Sequence, residues 1–422
     1  MRSDSIASAR WRIFAWTLFD FANTAFSVII VTVVFSTYFT DHVAGGRSWL
    51  WGAAVSLSMI CAALISPPLG AAADHSHNRK RFLFLFTYVC IICTGLMFFV
   101  EEGMALAGIL LFVAANVGFE GGLVFYDAFL PGLTEKKNLG RVSGYGFAMG
   151  YLGALAVLLL VHLVLPPETS SQYLVAIRAT FPLAAAFFLV FSVPIFLFVP
   201  EPPQVAESVR SYIEAGIRNS ARTFGDLFIR KSHPSVARFL IAFFIYNDGI
   251  LTIIAFAAIF ARHVLNMTLE QTVVFFAIVQ TSAVAGSVVF GVITDHIGPK
   301  RTITITLLFW IAITVGAFFV TTVAAFYVVA LGAGVAIGSS QSASRTLMAL
   351  LTPREREAEY FGFYDGLCGK ASAVVGPVVY GLVSDLTSER TASLAISLFF
   401  LTGLILLQGV AEPPRATAPS KL

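Results

Sequence analysis

Eight side chains stand out because they are charged or strongly polar yet interrupt long apolar runs: Asp20, Asn23, Glu120, Asp127, Asn247, Asp248, Gln341 and Lys370. Asp365, Gln280 and Arg345 belong with them. Charge in apolar surroundings is expensive, so each is a candidate for proton exchange, ion pairing or ligand contact. Asn23 lies one turn beyond Asp20, and Glu120 and Asp127 are seven residues apart, on roughly one helix face. No second basic residue stands at the depth of Glu120, which reads as a lone buried carboxylate able to carry a proton. Asp248, like Glu120, is a candidate proton carrier, and Lys370 can instead form a structural ion pair with it. A buried pair adds little net stability after desolvation, so its retention points to a switch. Asp20 and Asp127 also fit a plainer role as wetted helix-end groups. Arg345 fits a helix terminus as well as it fits a carboxylate partner. Gly121, Gly122, Gly334 and Gly338, beside these groups, suit close helix packing.

Other constellations carry no chemistry. Cys90 and Cys93 have C-x-x-C spacing but sit, like Cys61 and Cys368, in apolar runs where they pack as small hydrophobes. Gly369 to Ser372 echoes a phosphate loop, but Tyr364 stands where the first Gly is required and Ala371 intrudes. His75 and His77 have no acidic or Cys companion beyond Asp74, so no metal site is expected, and His162 reads as an interfacial residue. No Ser/His/Asp set shares a depth. Neither an enzyme nor a cofactor is implied.

The elements that hold these groups follow from composition. The 422 residues are 57% hydrophobic and 12% charged, with 40 Phe. A soluble protein carries about 25% charged residues, and this much apolar surface could not be hidden from water. A soluble enzyme, a nucleic-acid binder and a disordered scaffold are excluded. A β-barrel is excluded too, because the apolar residues come in blocks and do not alternate. Twelve blocks reach the roughly 20 residues that cross a bilayer. They cover 12–40, 49–73, 82–100, 104–131, 143–165, 177–199, 235–261, 270–294, 302–320, 323–350, 359–383 and 392–410. We number them spans 1 to 12. The expected plan is a six-helix bundle over 1–199, a linker over 200–234, a second bundle over 235–410 and a tail over 411–422. Placing both termini in the cytoplasm puts 22 of the 27 Lys and Arg residues inside, a strong positive-inside bias. The net charge of +3 therefore reflects topology, not a nucleic-acid partner. The first span is too long for a signal peptide and is read as retained.

The halves repeat. Gly70 to Asp74 ends span 2 and is followed by Arg79, Lys80 and Arg81; Gly291 to Asp295 ends span 8 and is followed by Lys300 and Arg301. Leu133 to Lys137 corresponds to Leu351 to Glu355, and a Gly- and aromatic-rich helix follows each. The Gly allows two helices to approach. The Asp can take a basic partner or cap a neighbouring helix N-terminus. Such contacts can form in one conformation and break in another. Duplicated halves around a cavity are the plan of a secondary transporter.

Two copies of this loop resemble the signature of the major facilitator superfamily. A closer resemblance rests on Phe19 to Asn23, Phe125 to Pro131, Ser143 to Gly146, Gly150 to Gly153, Tyr246 to Gly249, Gln341 to Arg345 and Tyr360 to Tyr364. Together they are similar to the unknown major facilitator family, which includes the vacuole-effluxer-like transporters, over nearly the whole chain. The resemblance implies a cavity lined by spans 1, 4, 7 and 10, with spans 2, 5, 8 and 11 beside them. Ionisable groups would then line the path, while spans 3, 6, 9 and 12 carry none in their interiors. It also implies alternating access, a small-molecule substrate and, from a fungal vacuolar member, amino-acid export; coupling to protons rests on the buried carboxylates. Carboxylates with Lys370 would suit a zwitterion. The short chain suits a bacterial member, monomeric in the inner membrane among its lipids. Export of lipophilic drugs or lipids is the nearest rival, and the many Phe residues allow it. A membrane scaffold or sensor would not need charges along cavity helices.

In the linker, Val205, Val209, Ile213, Ile217, Phe224 and Phe228 recur at helical spacing among Arg218, Arg222 and Arg230. This predicts a basic amphipathic helix over 204–231 lying on the inner membrane surface, or else one that docks a protein.

Overall fold

Twelve apolar blocks, each free to satisfy its backbone only by coiling in lipid, predict an all-helical molecule. The computed structural model describes residues 2–412 apart from 168 and 202–207, and every regular element in it is a helix. Val205 of the linker and most of the tail, with Arg415 and Lys421, lie outside the described residues.

Span 1 runs as an α-helix over Arg2–Phe26 and continues through π-helical turns over Ser27–Val33 and Phe39–Val43. Spans 2 to 6 are Ser48–Ser76, Arg79–Leu96, Ala105–Ala128, Leu139–Val164 and Tyr173–Phe198. Spans 7 to 10 are Pro234–Leu265, Leu269–Ile297, Pro299–Phe319 and Val323–Leu351, and span 12 is Glu389–Gln408. The turn into span 9 uses Gly298 at φ +96°, a conformation strained for any side chain, followed by Pro299 at the first helical position.

Among the described residues, eleven helices are long and apolar enough to cross a membrane. The difference from twelve is span 11, expected as one helix over 359–383 but built in pieces. A short helix, Glu357–Phe361, runs into a π-helix over Gly362–Gly369; the chain then breaks, and Val375–Leu386 starts anew. Pro377 is the physical reason. It has no N–H to donate and disfavours helix before it, and it falls in the first turn of the new helix, where that costs least.

The helix contacts come in matched sets. Spans 2 and 4 pack as 8 and 10 do, 3 and 4 as 9 and 10, 3 and 6 as 9 and 12, and 1 and 6 as 7 and 12. Across the halves, span 5 packs on span 8, and the first part of span 11 packs on span 2. The loops after spans 2, 4, 8 and 10 and the linker gather at one end, called here the basic end.

The linker helix is Val209–Phe224, extended by a π-turn to Ile229. Its buried face is small, not apolar: Gly216, Ser220 and Thr223. A Cβ on Gly216 would lie 2.5 Å from the Pro68 carbonyl of span 2, so that backbone approach requires glycine. Arg356, from the opposite half, donates to Thr223 Oγ1. Val209, Ile217 and Phe224 are left exposed.

Candidate functional site

The repeated loops meet across the halves. Asp74, in the last turn of span 2, accepts from the Ala358 and Glu359 N–H groups at 3.1 and 2.8 Å and from Arg79 Nε at 2.7 Å. It thus caps, from the other half, the helix beginning at Glu357. Arg79 continues to Glu357. Asp295, in the last turn of span 8, accepts from the Gly140 N–H at 2.8 Å and Arg141 Nε at 2.7 Å, capping span 5. Both roles foreseen for this Asp, basic partner and helix cap, are taken at once. The lysines do something else. Lys80 Nζ donates to the Phe196 carbonyl at 2.9 Å, and Lys300 Nζ to those of Gln408 and Val410 at 2.8 Å each. These are the C-terminal ends of spans 6 and 12, where cations are favoured. Arg301 is exposed. Gly70 and Gly291 stand where backbones meet: a Cβ on Gly70 would lie 2.6 Å from the Ala358 carbonyl carbon, and one on Gly291 2.8 Å from the Gly140 oxygen.

A second layer lies deeper. Arg345 is 2% exposed and does not end its helix, which runs on to Leu351. It reaches into the first half, donating to Asp127 Oδ1 at 2.8 Å, Ser143 Oγ at 3.0 Å and the Ser143 carbonyl at 2.7 Å. Asp20 Oδ2 is 3.5 Å away and also accepts from the Tyr126 hydroxyl at 2.7 Å. Asn23 donates to Asp20 Oδ1 at 3.3 Å. The guanidinium lies 4.0 Å from the Phe147 ring centre and 4.9 Å from that of Trp16, a cation–π arrangement. Two carboxylates therefore share one cation.

The third layer corrects two expectations. Glu120 is not alone: Lys370 Nζ lies 2.5 Å from it and 3.5 Å from Asp365. Lys370 does not pair with Asp248. The π-turns of span 11 carry Lys370 toward span 4, away from span 7. Asp248 Oδ1 instead accepts from the Gly376 N–H at 2.9 Å, in the first turn of Val375–Leu386, and Asn247 donates to Ser372 Oγ at 2.7 Å. Both brace the break in span 11.

A cavity of about 1050 Å³ lies between the halves. Asp20, Asn23, Asp127, Gln341 and Arg345 line it, with Gln280 and Asp365; Glu120, Asn247, Asp248 and Lys370 do not. It extends away from the basic end, past His162, Phe260, Phe275 and Phe326, which sit at the far ends of spans 5, 7, 8 and 10. Trp16 and Phe147, which flank Arg345, carry no charge and could be found only by their helical spacing from Asp20 and from Ser143. Arg141 lay among the loop cations with nothing to single it out.

The comparisons with known proteins agree with this architecture. The chain is similar to the uncharacterized MFS-type transporter YxiO of Bacillus subtilis, 27% identical over 94% of each chain. It is similar to autophagy-related protein 22 of Yarrowia lipolytica, 24% identical over 79% of this chain and 70% of that one. Among solved structures, the human organic anion transporter MFSD10 superposes with a TM-score of 0.74 at 16% identity, covering 95% of this chain and 99% of that one. The proton:xylose symporter XylE superposes with a TM-score of 0.75 at 12% identity, covering 96% of each chain. At such identities the structural likeness speaks for the fold alone. The family itself is carried by a sequence profile, described as vacuole effluxer Atg22 like, that matches residues 52–415. Matched halves, a cavity between them and a profile spanning most of the sequence lead to one assignment: the chain belongs to the vacuole effluxer Atg22 like family of major facilitator transporters.

Proposed function

We propose that this transporter exports a small organic solute by alternating access, with its basic end in the cytoplasm and that end closed here. The observation that carries the reading is the placement of the charged contacts between halves. The Asp74 and Asp295 caps and the Arg345 cluster all lie between the cavity and the basic end. The excess of Lys and Arg supports a cytoplasmic position for that end, and the effluxer description of the family supports export. Transport follows if solute binding weights the two closures differently. Asp20 and Asp127 outnumber Arg345 at the cavity floor, so a proton or a cationic group is needed to balance them, and this supports proton coupling through these two carboxylates. Glu120, held by Lys370, is less suited to that role. The amino-acid reading loses the lysine that favoured it, because Lys370 stands behind the cavity wall.

The test is labelling of single cysteines, in a background lacking the four native ones, with a membrane-impermeant maleimide. Leu158→Cys, on the cavity wall, is expected to react from outside the cell. Ser342→Cys, fully buried under the Arg345 cluster, is expected to react slowly from either side. Fast labelling of Ser342→Cys from the cytoplasm, with Leu158→Cys protected, would overturn the assigned state, and labelling of Leu158→Cys from the cytoplasmic side alone would overturn the orientation.

A further inference from the structure

The charged groups facing the cavity are unbalanced. Asp20, Asp127 and Asp365 line it against a single cation, Arg345, with His162 near the far end. Arg345 has little left to offer a ligand. Its donors are held by Asp127 and Ser143, its faces by Phe147 and Trp16, and to turn away it would have to break the contact between halves. An incoming carboxylate therefore meets three like charges and no available partner. A cation meets the reverse. Asp365 is the least satisfied of the three: its buried Oδ2 lies 3.5 Å from Lys370, which it shares with Glu120, and has no hydrogen-bond partner among the described residues.

The cavity also has a lobe that charge does not explain. Beyond the polar floor it runs into the second half, between spans 7, 9 and 10, along Ala257, Trp310, Ile313, Ala317, Ala330 and Ala333. Four alanines hollow this space where larger side chains would close it. Trp310 is fully buried, stacks on Phe400 with centroids 5.3 Å apart, and its indole N–H has no acceptor among the described residues. Ligand pockets of about 300–1,000 Å³ accommodate drug-sized molecules, and this one is at the top of that range.

We infer that the substrate of this cavity is an organic cation with a bulky apolar body, its charge set among Asp20, Asp127 and Asp365 and its body in the alanine-lined lobe. The inference rests on the transport reading above and specifies its substrate class.

The experiment uses the purified full-length chain in lipid nanodiscs and one carbon frame with three charges. 2-Phenylethylamine is cationic, phenylalanine zwitterionic and 3-phenylpropionate anionic at neutral pH; tetraphenylphosphonium is a bulky cation. Binding is read by calorimetry and by the rise in melting temperature that a ligand of the folded state produces. We expect 2-phenylethylamine to bind at least tenfold more tightly than phenylalanine, no shift with 3-phenylpropionate, and the tightest binding for tetraphenylphosphonium. Asp365→Asn should weaken both cations at least tenfold. Ala257→Phe should weaken tetraphenylphosphonium at least fivefold more than 2-phenylethylamine. Tighter binding of phenylalanine or of the anion overturns the inference, and the wild-type series decides this even if a variant misfolds. The two readings fail separately. If the zwitterion wins while Leu158→Cys and Ser342→Cys label as expected, only the substrate class falls. If the cations win while that labelling is reversed, only the orientation and state fall.

Discussion

Gly70→Ala should unlatch the basic end. In the closed arrangement an added Cβ would stand 2.6 Å from the Ala358 carbonyl carbon, closer still to its oxygen, and 3.0 Å from the Glu359 Cα. All three are backbone atoms and cannot swing aside. Overpacking of this kind costs about 1–3 kcal/mol. The contact joins the two halves, so the cost falls on the closed state alone, and an equilibrium shifted by about 1–3 kcal/mol moves roughly 5- to 150-fold. An open state held at about 5% would rise to between about 20% and about 90%. The assay is the ratio of maleimide labelling at Ser342→Cys from the basic side to that at Leu158→Cys from the other, with the melting temperature as control. Gly291→Ala should do the same more weakly, since its closest contact, with the Gly140 oxygen, is 2.8 Å. An unchanged ratio in a variant that melts normally would refute the reasoning. So would a rise in labelling at both ends, which would report general loosening.

The Glu120–Lys370 pair should behave as a coupled unit. Glu120→Gln or Lys370→Met alone should cost about 3–5 kcal/mol by leaving a buried charge, and the double variant should cost less than their sum; additivity in denaturant melts would contradict the pair. Asp248→Ala should cost about 0.5–2 kcal/mol through loss of the cap on Val375–Leu386, and Asp248→Asn should recover most of it. Equal losses in thermal melts would mean that capping is not what Asp248 does. Glu201, beyond the end of span 6, accepts from the Lys80 N–H at 2.8 Å, and burial holds its carboxyl above the ordinary range despite the neighbouring Lys80 and Arg79. The folded chain thus holds this proton more tightly than the unfolded one, giving stability that is present below about pH 4.3 and lost as pH rises through the folded value. Glu201→Gln should flatten that part of the pH–stability profile, and an unchanged profile would exclude the contribution.

What can be read from the sequence depends on whether a residue's partner is local, repeated or remote. Asp74 and Asp295 are legible because each sits in a repeated loop whose basic residues are nearby. Their partners on the other half are legible only in kind, as a helix end to cap. Asp20, Asp127 and Arg345 announce themselves by charge in apolar runs, but no spacing says that one guanidinium serves both carboxylates. Lys370 misleads most. Treating span 11 as a regular helix aims it at Asp248, and the π-turns over Gly362–Gly369 with the break before Val375 aim it at Glu120. Pro377 marks a discontinuity in the sequence, but not how far the preceding turns rotate. The cavity's apolar lobe is invisible for another reason: Ala257, Ala317, Ala330 and Ala333 are scattered over three spans and become a space only when those spans pack.

The two caps have a further consequence when taken together. Asp74 of the first half grips a helix start of the second, and Asp295 of the second grips the corresponding helix start of the first. This is one contact made twice about a pseudo-twofold axis, the isologous geometry of a symmetric homodimer. Each half accordingly carries both surfaces, carboxylate and receptive helix end, and is complementary to a copy of itself.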